Sequence, residues 1–206
     1  MSSIKLTADS GGGTFEIKAP TSGSNTRVLT LPDSSSGTVL TTTNPKSGNV
    51  LQVVSTTKTD VFSTSSTSFT DITGFSVNIT PSSSSNKVLV TGLVTFGGSD
   101  GEAYGYTFNL ARVIGGSETD ICIGDADGSR TRATFGTQGF GPSDATDTSA
   151  INFLDSPSTT SQVTYKVRAR AENPKTLYVN RGKEGDGDNS ITSRFVSTIT
   201  VMEVAA

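Results

Sequence analysis

The segment QVTYKVRARA (Gln162–Ala171) decides the fold class of this chain. Every second residue from Val163 to Ala169 is apolar, and the residues between them are polar or charged. A period of two places the apolar side chains on one face of a β-strand and the polar ones on the other. The segment Phe195–Val201 alternates in a similar way. Both segments predict strands that bury one face and expose the other to solvent.

Short strands of this kind recur along most of the chain. No apolar run keeps the i, i+3, i+4 spacing of an amphipathic helix for more than a turn. Turn-forming residues separate the runs at regular intervals, which is typical of an antiparallel sandwich. We predict an all-β body folded as an antiparallel, jelly-roll-like β-sandwich, with a closed barrel as the alternative. The predicted strands are Val50–Val54, Phe69–Ile79, Lys87–Phe96, Tyr104–Val113, Asp120–Ile123, Arg132–Phe135, Ala150–Leu154, Gln162–Ala171, Thr176–Val179 and Ser193–Val204.

The first part of the chain has a different organisation. Its apolar residues occur in brief groups, each ended by Gly, Pro or Ser. Such short strands bury too little surface to be stable alone in water, so the segment needs a partner, and a flexible tail is the alternative. The stretch TTTNPKSGN (Thr41–Asn49) has no apolar side chain and indicates a linker. We therefore predict a strand-rich attachment segment at 1–46 and the sandwich at 47–206.

The opening phrase SIKLTADSGGGTFEIKAPTSGSNTRVLTLPDSSSGTVLTT resembles the N-terminal segment of tailed-bacteriophage fibre and appendage proteins. The stretch Val50–Val90 resembles tail-fibre-like proteins of marine phages, in which it opens a β-sandwich. That sandwich closes on a terminal strand similar to Ser197–Val204. The opening resemblance is carried by Ile4, Leu6, Gly13, Ile17, Pro20, Leu29, Leu31, Pro32, Gly37, Val39 and Leu40.

The resemblance implies a non-enzymatic structural protein of a phage virion, assembled in the host cytoplasm. It implies a homotrimeric fibre or appendage subunit that docks on the particle by its N-terminus and contacts the host surface with its body. Its expected partners are other copies of itself and proteins of the tail or capsid. A head-fibre or capsid decoration protein is the alternative. The expected attachment residues are Ile4, Leu6, Phe15, Ile17, Leu29, Leu31 and Val39.

Composition excludes several kinds of chemistry. The chain has no histidine and one cysteine, so it has neither a histidine-based nucleophile system nor a His- or Cys-cluster zinc site. Tryptophan, a common platform for sugars, is also absent. The formal net charge of −3 gives no basic field for nucleic acid, and no long apolar run predicts membrane insertion. We expect neither enzymatic activity nor a cofactor.

Two acidic loops are weak candidates for calcium binding. Asp125 and Asp127 lie in GDADGSR, and Asp186 and Asp188 lie in GKEGDGDNS. An Asp-x-Asp spacing brings two carboxylates within reach of one hard cation. Neither loop has the downstream bidentate Glu of a calcium loop, and Asp-Gly is first of all a turn dipeptide. We favour plain turns and predict no bound metal.

Three aromatic residues among glycines are candidates for recognition. Tyr104 and Tyr106 lie in GSDGEAYGY, and Phe140 lies in GTQGFGPSD. Rigid aromatic surface on adaptable backbone suits sugar or protein contact, so a host surface glycan is a further expected partner. The alternative is that Tyr106 and Phe140 pack beneath loops. A carbohydrate-binding, lectin-like module is therefore the alternative function from another class.

Overall fold

The computed structural model describes residues 3–7, 14–18, 45–98, 105–138, 145–172, 175–183 and 192–206. The chain divides into two compact units, 1–39 and 40–206. In the first unit, β1 (Ser3–Thr7) and β2 (Thr14–Lys18) form an antiparallel pair. Their register sets Ile4 opposite Ile17 and Leu6 opposite Phe15 in the backbone. The other expected attachment residues, Leu29, Leu31 and Val39, lie outside the described residues, and the attachment role of residues 1–46 stays a prediction.

The second unit is built from eleven strands among the residues that the structure describes. The all-β prediction is confirmed, since no described residue is helical. The strands are β3 (Val50–Lys58), β4 (Phe62–Thr64), β5 (Thr70–Ile79), β6 (Lys87–Gly98), β7 (Gly105–Ile114), β8 (Ser117–Ile121), β9 (Phe135–Gln138), β10 (Thr146–Asp155), β11 (Val163–Ala171), β12 (Leu177–Val179) and β13 (Ser197–Val204).

The strands form two antiparallel sheets. The first sheet has the order β3-β13-β6-β12-β4, with β10 on the other edge of β6. The second sheet has the order β5-β11-β7-β8, with β9 also on β7. Three strand positions are interrupted. The strands β12 and β13 both pair with β6, and β8 and β9 both pair with β7. On the other edge of the β12 and β13 position, β4 pairs with β12 and β3 pairs with β13. Counted by position, the sheets read 1-8-3-6 and 2-7-4-5, which is the jelly roll, and the barrel alternative is wrong.

Two predicted strands are displaced along the second sheet. The sequence predicts strands at Asp120–Ile123 and Arg132–Phe135, but β8 begins at Ser117 and β9 ends at Gln138. The two-residue turn before β8 explains the early start. Gly115 and Gly116 have φ values of 56° and 82°, the geometry of a type I′ hairpin turn that glycine adopts without strain.

The core lies between the two sheets. The alternation in β11 is as predicted, since its odd-numbered residues from Val163 to Ala171 are fully buried and its even-numbered residues are partly exposed. An aromatic cluster joins the sheets: the Phe96 ring lies 4.7 Å from Phe108, which stacks on Phe135 at 4.7 Å. Such aromatic pairs stabilise a core beyond the area that they bury.

Asn180 joins the interrupted positions of the first sheet. It follows β12 with φ 64°, a left-handed conformation that Asn adopts more readily than most residues. Its Nδ2 donates to the carbonyl oxygens of Lys58 and Asp60, both at 2.9 Å, and so spans the gap between β3 and β4. Its backbone NH donates to the Thr95 carbonyl at 2.8 Å, and its own carbonyl accepts from the Phe195 NH at 3.0 Å.

Ser197 completes this arrangement from the start of β13. Its hydroxyl donates to Asn180 Oδ1 at 2.7 Å and accepts from the Thr95 NH at 3.0 Å. Ser197 and Asn180 are both fully buried. The residues between β12 and β13, here called the 180–196 excursion, therefore leave and re-enter the sheet at one hydrogen-bonded point.

A buried carboxylate anchors the last strand. Glu203 is 1% exposed and accepts hydrogen bonds from Gln52 Nε2 (2.6 Å), Asn86 Nδ2 (2.6 Å), and the NH and hydroxyl of Ser82 (both 2.7 Å). Burial raises the pKa of Glu203, but these hydrogen bonds outweigh burial and hold its pKa below the ordinary value. The carboxylate therefore ties β13 to β3 and to the β5–β6 connection.

Two polar links join the sheets at their edges. Lys58 of β3 is buried, and its Nζ donates to the Thr73 carbonyl of the second sheet at 2.8 Å. Arg112 of β7 donates from Nη1 to both carboxylate oxygens of Asp155, at 2.8 and 3.0 Å. The Tyr165 hydroxyl also donates to Asp155, at 2.7 Å, and burial followed by this hydrogen bond raises the pKa of Tyr165. Removing one member of such a group would leave its partners desolvated and unpaired.

The role of Asn180 can be tested with two substitutions. Asn180→Gly keeps the left-handed backbone but loses three side-chain hydrogen bonds, which we expect to lower the free energy of unfolding by about 2–4 kcal/mol. Asn180→Ala loses the same bonds and adds backbone strain of about 1 kcal/mol. Urea unfolding followed by circular dichroism should rank wild type above the Gly variant and the Gly variant above the Ala variant. Equal stability of all three proteins would contradict this role.

The role of Glu203 predicts a pH dependence. Its folded-state pKa lies below the ordinary 4.5, so ionised Glu203 stabilises the fold above about pH 4.5, and that contribution disappears as the pH falls through the folded pKa. Glu203→Gln should lower the melting temperature at pH 7. The difference from wild type should shrink as the pH is lowered from 6 to about 3. A difference independent of pH would show that the charge of Glu203 does not contribute.

Candidate functional site

The outer face of the second sheet carries a network of ion pairs. Lys166 and Arg168 project from β11 at its centre. Lys166 Nζ lies 2.7 Å from Asp71 Oδ2 and also contacts Glu118, while Arg168 Nη1 lies 2.7 Å from Glu118 Oε1 and 3.3 Å from Asp120 Oδ1. Burial acts to lower the pKa of Lys166, but its bonds to the two carboxylates outweigh burial and raise the pKa. The charges on this face are thus largely matched within one chain.

The sequence did not identify these partners. Arg168 pairs with carboxylates of β5 and β8, which are distant from it in sequence and reach it only through the sheet. Arg170 Nε donates to the Thr67 carbonyl at 2.9 Å, and its Nη1 contacts the Thr131 hydroxyl. Arg170 therefore tethers the residues between β8 and β9, here called the 122–134 excursion, to the sheet.

A groove of about 690 Å³ lies beside this tether. The 122–134 excursion contributes Ser129–Thr131, β7 contributes Gly105 and Thr107, β9 contributes Gly136 and Thr137, and Glu172 follows β11. The described part of the lining thus offers four hydroxyls, one guanidinium and one carboxylate. Its volume falls within the usual range of small-ligand sites, but its lining is more polar than is typical for them.

Backbone contacts fix the shape of the groove. The Gly105 NH donates to Glu172 Oε2 at 3.0 Å, and the Glu172 NH donates back to the Gly105 carbonyl at 3.1 Å. A Cβ at Gly136 would lie 2.6 Å from the Tyr106 carbonyl oxygen, so no side chain fits there. The carboxylate is therefore held in place, and the strands approach closely beneath the groove.

Among the candidate recognition residues, the structure describes Tyr106, which does not line this groove. Tyr106 is fully buried, and its ring lies where a side chain on Gly98 would be, so its proposed role in recognition is wrong and its alternative role in packing is correct. Tyr104 and Phe140 lie outside the described residues, and their role stays a prediction. The groove was missed because its polar residues come from four separate parts of the chain and form no motif.

The two acidic candidates that the structure describes, Asp125 and Asp127, are exposed. Asp127 lies in the 122–134 excursion and pairs with Arg130 at 3.0 Å, with both side chains largely in solvent. Asp125 is exposed nearby, and Asp186 and Asp188 lie outside the described residues. Among the residues that the structure describes, no group of three or more His, Cys, Asp or Glu side chains is placed to hold a metal ion. The described part of the chain also contains no helix suited to crossing a membrane.

No protein-family model and no curated protein matches this chain. Three solved structures of infectious bursal disease virus resemble it weakly. The Gx strain structure has a TM-score of 0.38 and 14% identity, covering 93% of this chain and 51% of that one. The Gt strain structure has a TM-score of 0.40 and 17% identity, covering 94% and 47%. A mutant VP2 protein from derived T=1 particles has a TM-score of 0.40 and 16% identity, covering 98% and 44%.

The chain spans about half the length of these viral proteins. Identities below 20% and TM-scores of 0.40 or less support no conclusion about family or function. The jelly-roll assignment rests on the strand order of this chain itself.

Proposed function

We propose that this protein is a non-enzymatic structural component of a phage virion, a subunit of a homotrimeric fibre or appendage. The observation that carries the proposal is the resemblance of the opening segment, from Ile4 to Leu40, to fibre N-termini. The jelly-roll body is compatible with it, because such sandwiches recur in viral particle proteins. The lack of histidine supports a binding role over a catalytic one.

The first unit supports a need for partners. The strands β1 and β2 have five residues each, and an isolated two-stranded pair is at best marginally stable in water. Three copies would supply one another with further strands and cover the open edges. A capsid decoration or head-fibre protein would use the same segment on a different surface of the particle, and it remains the second choice within this class.

The virion role is tested by deleting residues 2–40. We expect virions carrying the deletion to lack this protein, because the body has lost the proposed attachment segment. Antibody labelling of virions in the electron microscope should place the wild-type chain on a fibre or appendage. Normal incorporation of the truncated chain would contradict attachment through the N-terminus and favour a decoration protein bound through its body.

The groove beside β9 favours a second candidate function, the binding of a saccharide on the host surface. Its hydroxyls, the Glu172 carboxylate and the Arg130 guanidinium can hydrogen-bond the adjacent hydroxyls of a sugar. The described part of the lining has one positive and one negative side chain, which favours a neutral sugar over a highly charged one. This assignment does not depend on where the protein sits on the particle.

Arg130→Ala tests the saccharide assignment. The Arg130 side chain is 83% exposed, so its removal should leave the melting temperature unchanged. We expect binding to the best ligand on an array of neutral host saccharides to weaken about tenfold, the loss of one charge-assisted hydrogen bond. Lys87→Ala, which removes an exposed charge from the other sheet, is the control. Unchanged binding by the Arg130 variant would remove the groove as the binding site.

A further inference from the structure

An apolar row crosses the outer face of the first sheet. The antiparallel registers set Val53 opposite Met202, Met202 opposite Leu89, and Leu89 opposite Leu154. Directly paired residues point to the same side of a sheet. Four neighbouring strands therefore present one continuous row, which spans about 14 Å at the usual strand spacing.

This face gathers the exposed apolar surface of the body. Val53 is 56% exposed and Leu154 is 48% exposed, and Val50 and Leu93 of the same sheet are similarly open. Every large hydrophobic residue that is exposed in the described part of the chain lies in this sheet or in the connections beside it. The second sheet has none. A contiguous apolar patch on only one side of a soluble domain is typical of an interaction surface.

The charges limit what can cover this face. On its outward positions the strands β3, β13, β6 and β10 carry no acidic side chain, and Lys87 at the end of β6 is their single basic one. A charged partner surface would lose its hydration here without gaining a counter-charge. The complementary partner is therefore an uncharged, apolar face. A second copy of this chain carries such an uncharged, apolar face.

The row on one side of the apolar row can supply hydrogen bonds at its border. Ser55, Thr200 and Thr91 occupy the next row, where the Ser55 and Thr200 hydroxyls lie 2.8 Å apart. An apolar centre with a hydroxyl-bearing border has the anatomy of a protein–protein interface. The outer face of the second sheet carries matched ion pairs, which is typical of a surface exposed to solvent.

We propose that the outer face of the β3-β13-β6-β10 sheet is the surface through which copies of this chain pack against one another. This inference rests on the proposed homotrimer and gives that assembly a specific interface within the body. Val53, Met202, Leu89 and Leu154 form its centre. The copies meet through the first sheet, while the second sheet and the groove beside β9 face outward.

The interface is tested in the full chain with Val53→Glu combined with Leu154→Glu. Both side chains are about half exposed in a single copy, so the charges should not unfold it, and its circular dichroism melt should remain cooperative. In the assembly the charges would be buried and would repel one another, so sedimentation should shift from trimer to monomer. Val61→Glu is the matched control, because Val61 is 41% exposed and lies outside the row.

Spin labels give a second measurement that does not depend on dissociation. In a Cys122→Ser background, a label at Leu154→Cys should lie closer to its copies than a label at Ser76→Cys on the outer face of the second sheet. Equal or longer distances from residue 154, or a double variant that remains trimeric, would overturn this interface while the trimer itself stands. A wild-type chain that is monomeric at high concentration would overturn both the interface and the proposed trimer.

Discussion

The hydrogen bonds of Asn180 are the constraint on which the first sheet depends. Two neighbouring strand positions are interrupted at the same place along the sheet. One break lies between β3 and β4, and the other lies between β12 and β13. A continuous ladder would pair every backbone group there. At this break, the carbonyls of Lys58 and Asp60 accept hydrogen bonds from the Asn180 side chain. Asn180, in its left-handed conformation, forms hydrogen bonds across both breaks and is held by the Ser197 hydroxyl. Without it the sheet would consist of two short ladders joined only by β6.

The two sheets use polar residues in opposite ways. In the second sheet, the charged residues of β11 meet their partners on the outer face, where solvent screens the pairs and each pair contributes little. In the first sheet, the charged residues Glu203 and Lys58 are buried and hydrogen-bonded. This arrangement leaves the outward face of the first sheet almost free of charge. The outer face has an uninterrupted apolar row because the charged side chains of Glu203 and Lys58 lie on the inner face.

The sequence predicted the fold well because alternation is a local property. The strands around Ile199 and Tyr165 were found from their period of two, and the jelly roll followed from the number and spacing of such strands. The three-residue strand β4 was missed because it is too short to show a period. The sequence separated the strands at Thr176–Val179 and Ser193–Val204, but it did not predict the link that Asn180 makes between them. Val-Asn-Arg-Gly gives a turn signal but no sign that Asn180 is buried.

The candidate site was predicted far less well, for a physical reason. The groove combines residues of β7, β9 and the 122–134 excursion with Glu172, which follows β11, and only the sheet register brings them together. Tyr106, in contrast, was predicted to be a recognition residue and is buried in the core. Its glycine neighbours resemble a recognition loop, but Gly98 is small because the Tyr106 ring packs against its backbone.

Both excursions leave their sheets through necks that are closed by backbone hydrogen bonds. Asn180 and Phe195 close one neck, and Gly124 and Ala133 close the other at 3.2 Å. The register of the following strand is therefore set at the neck and does not depend on what lies beyond it. Because loop-closure entropy grows slowly with loop length, we expect insertions beyond each neck to cost little stability. The sandwich thus carries two positions where the surface can diversify quickly while the architecture underneath stays constant.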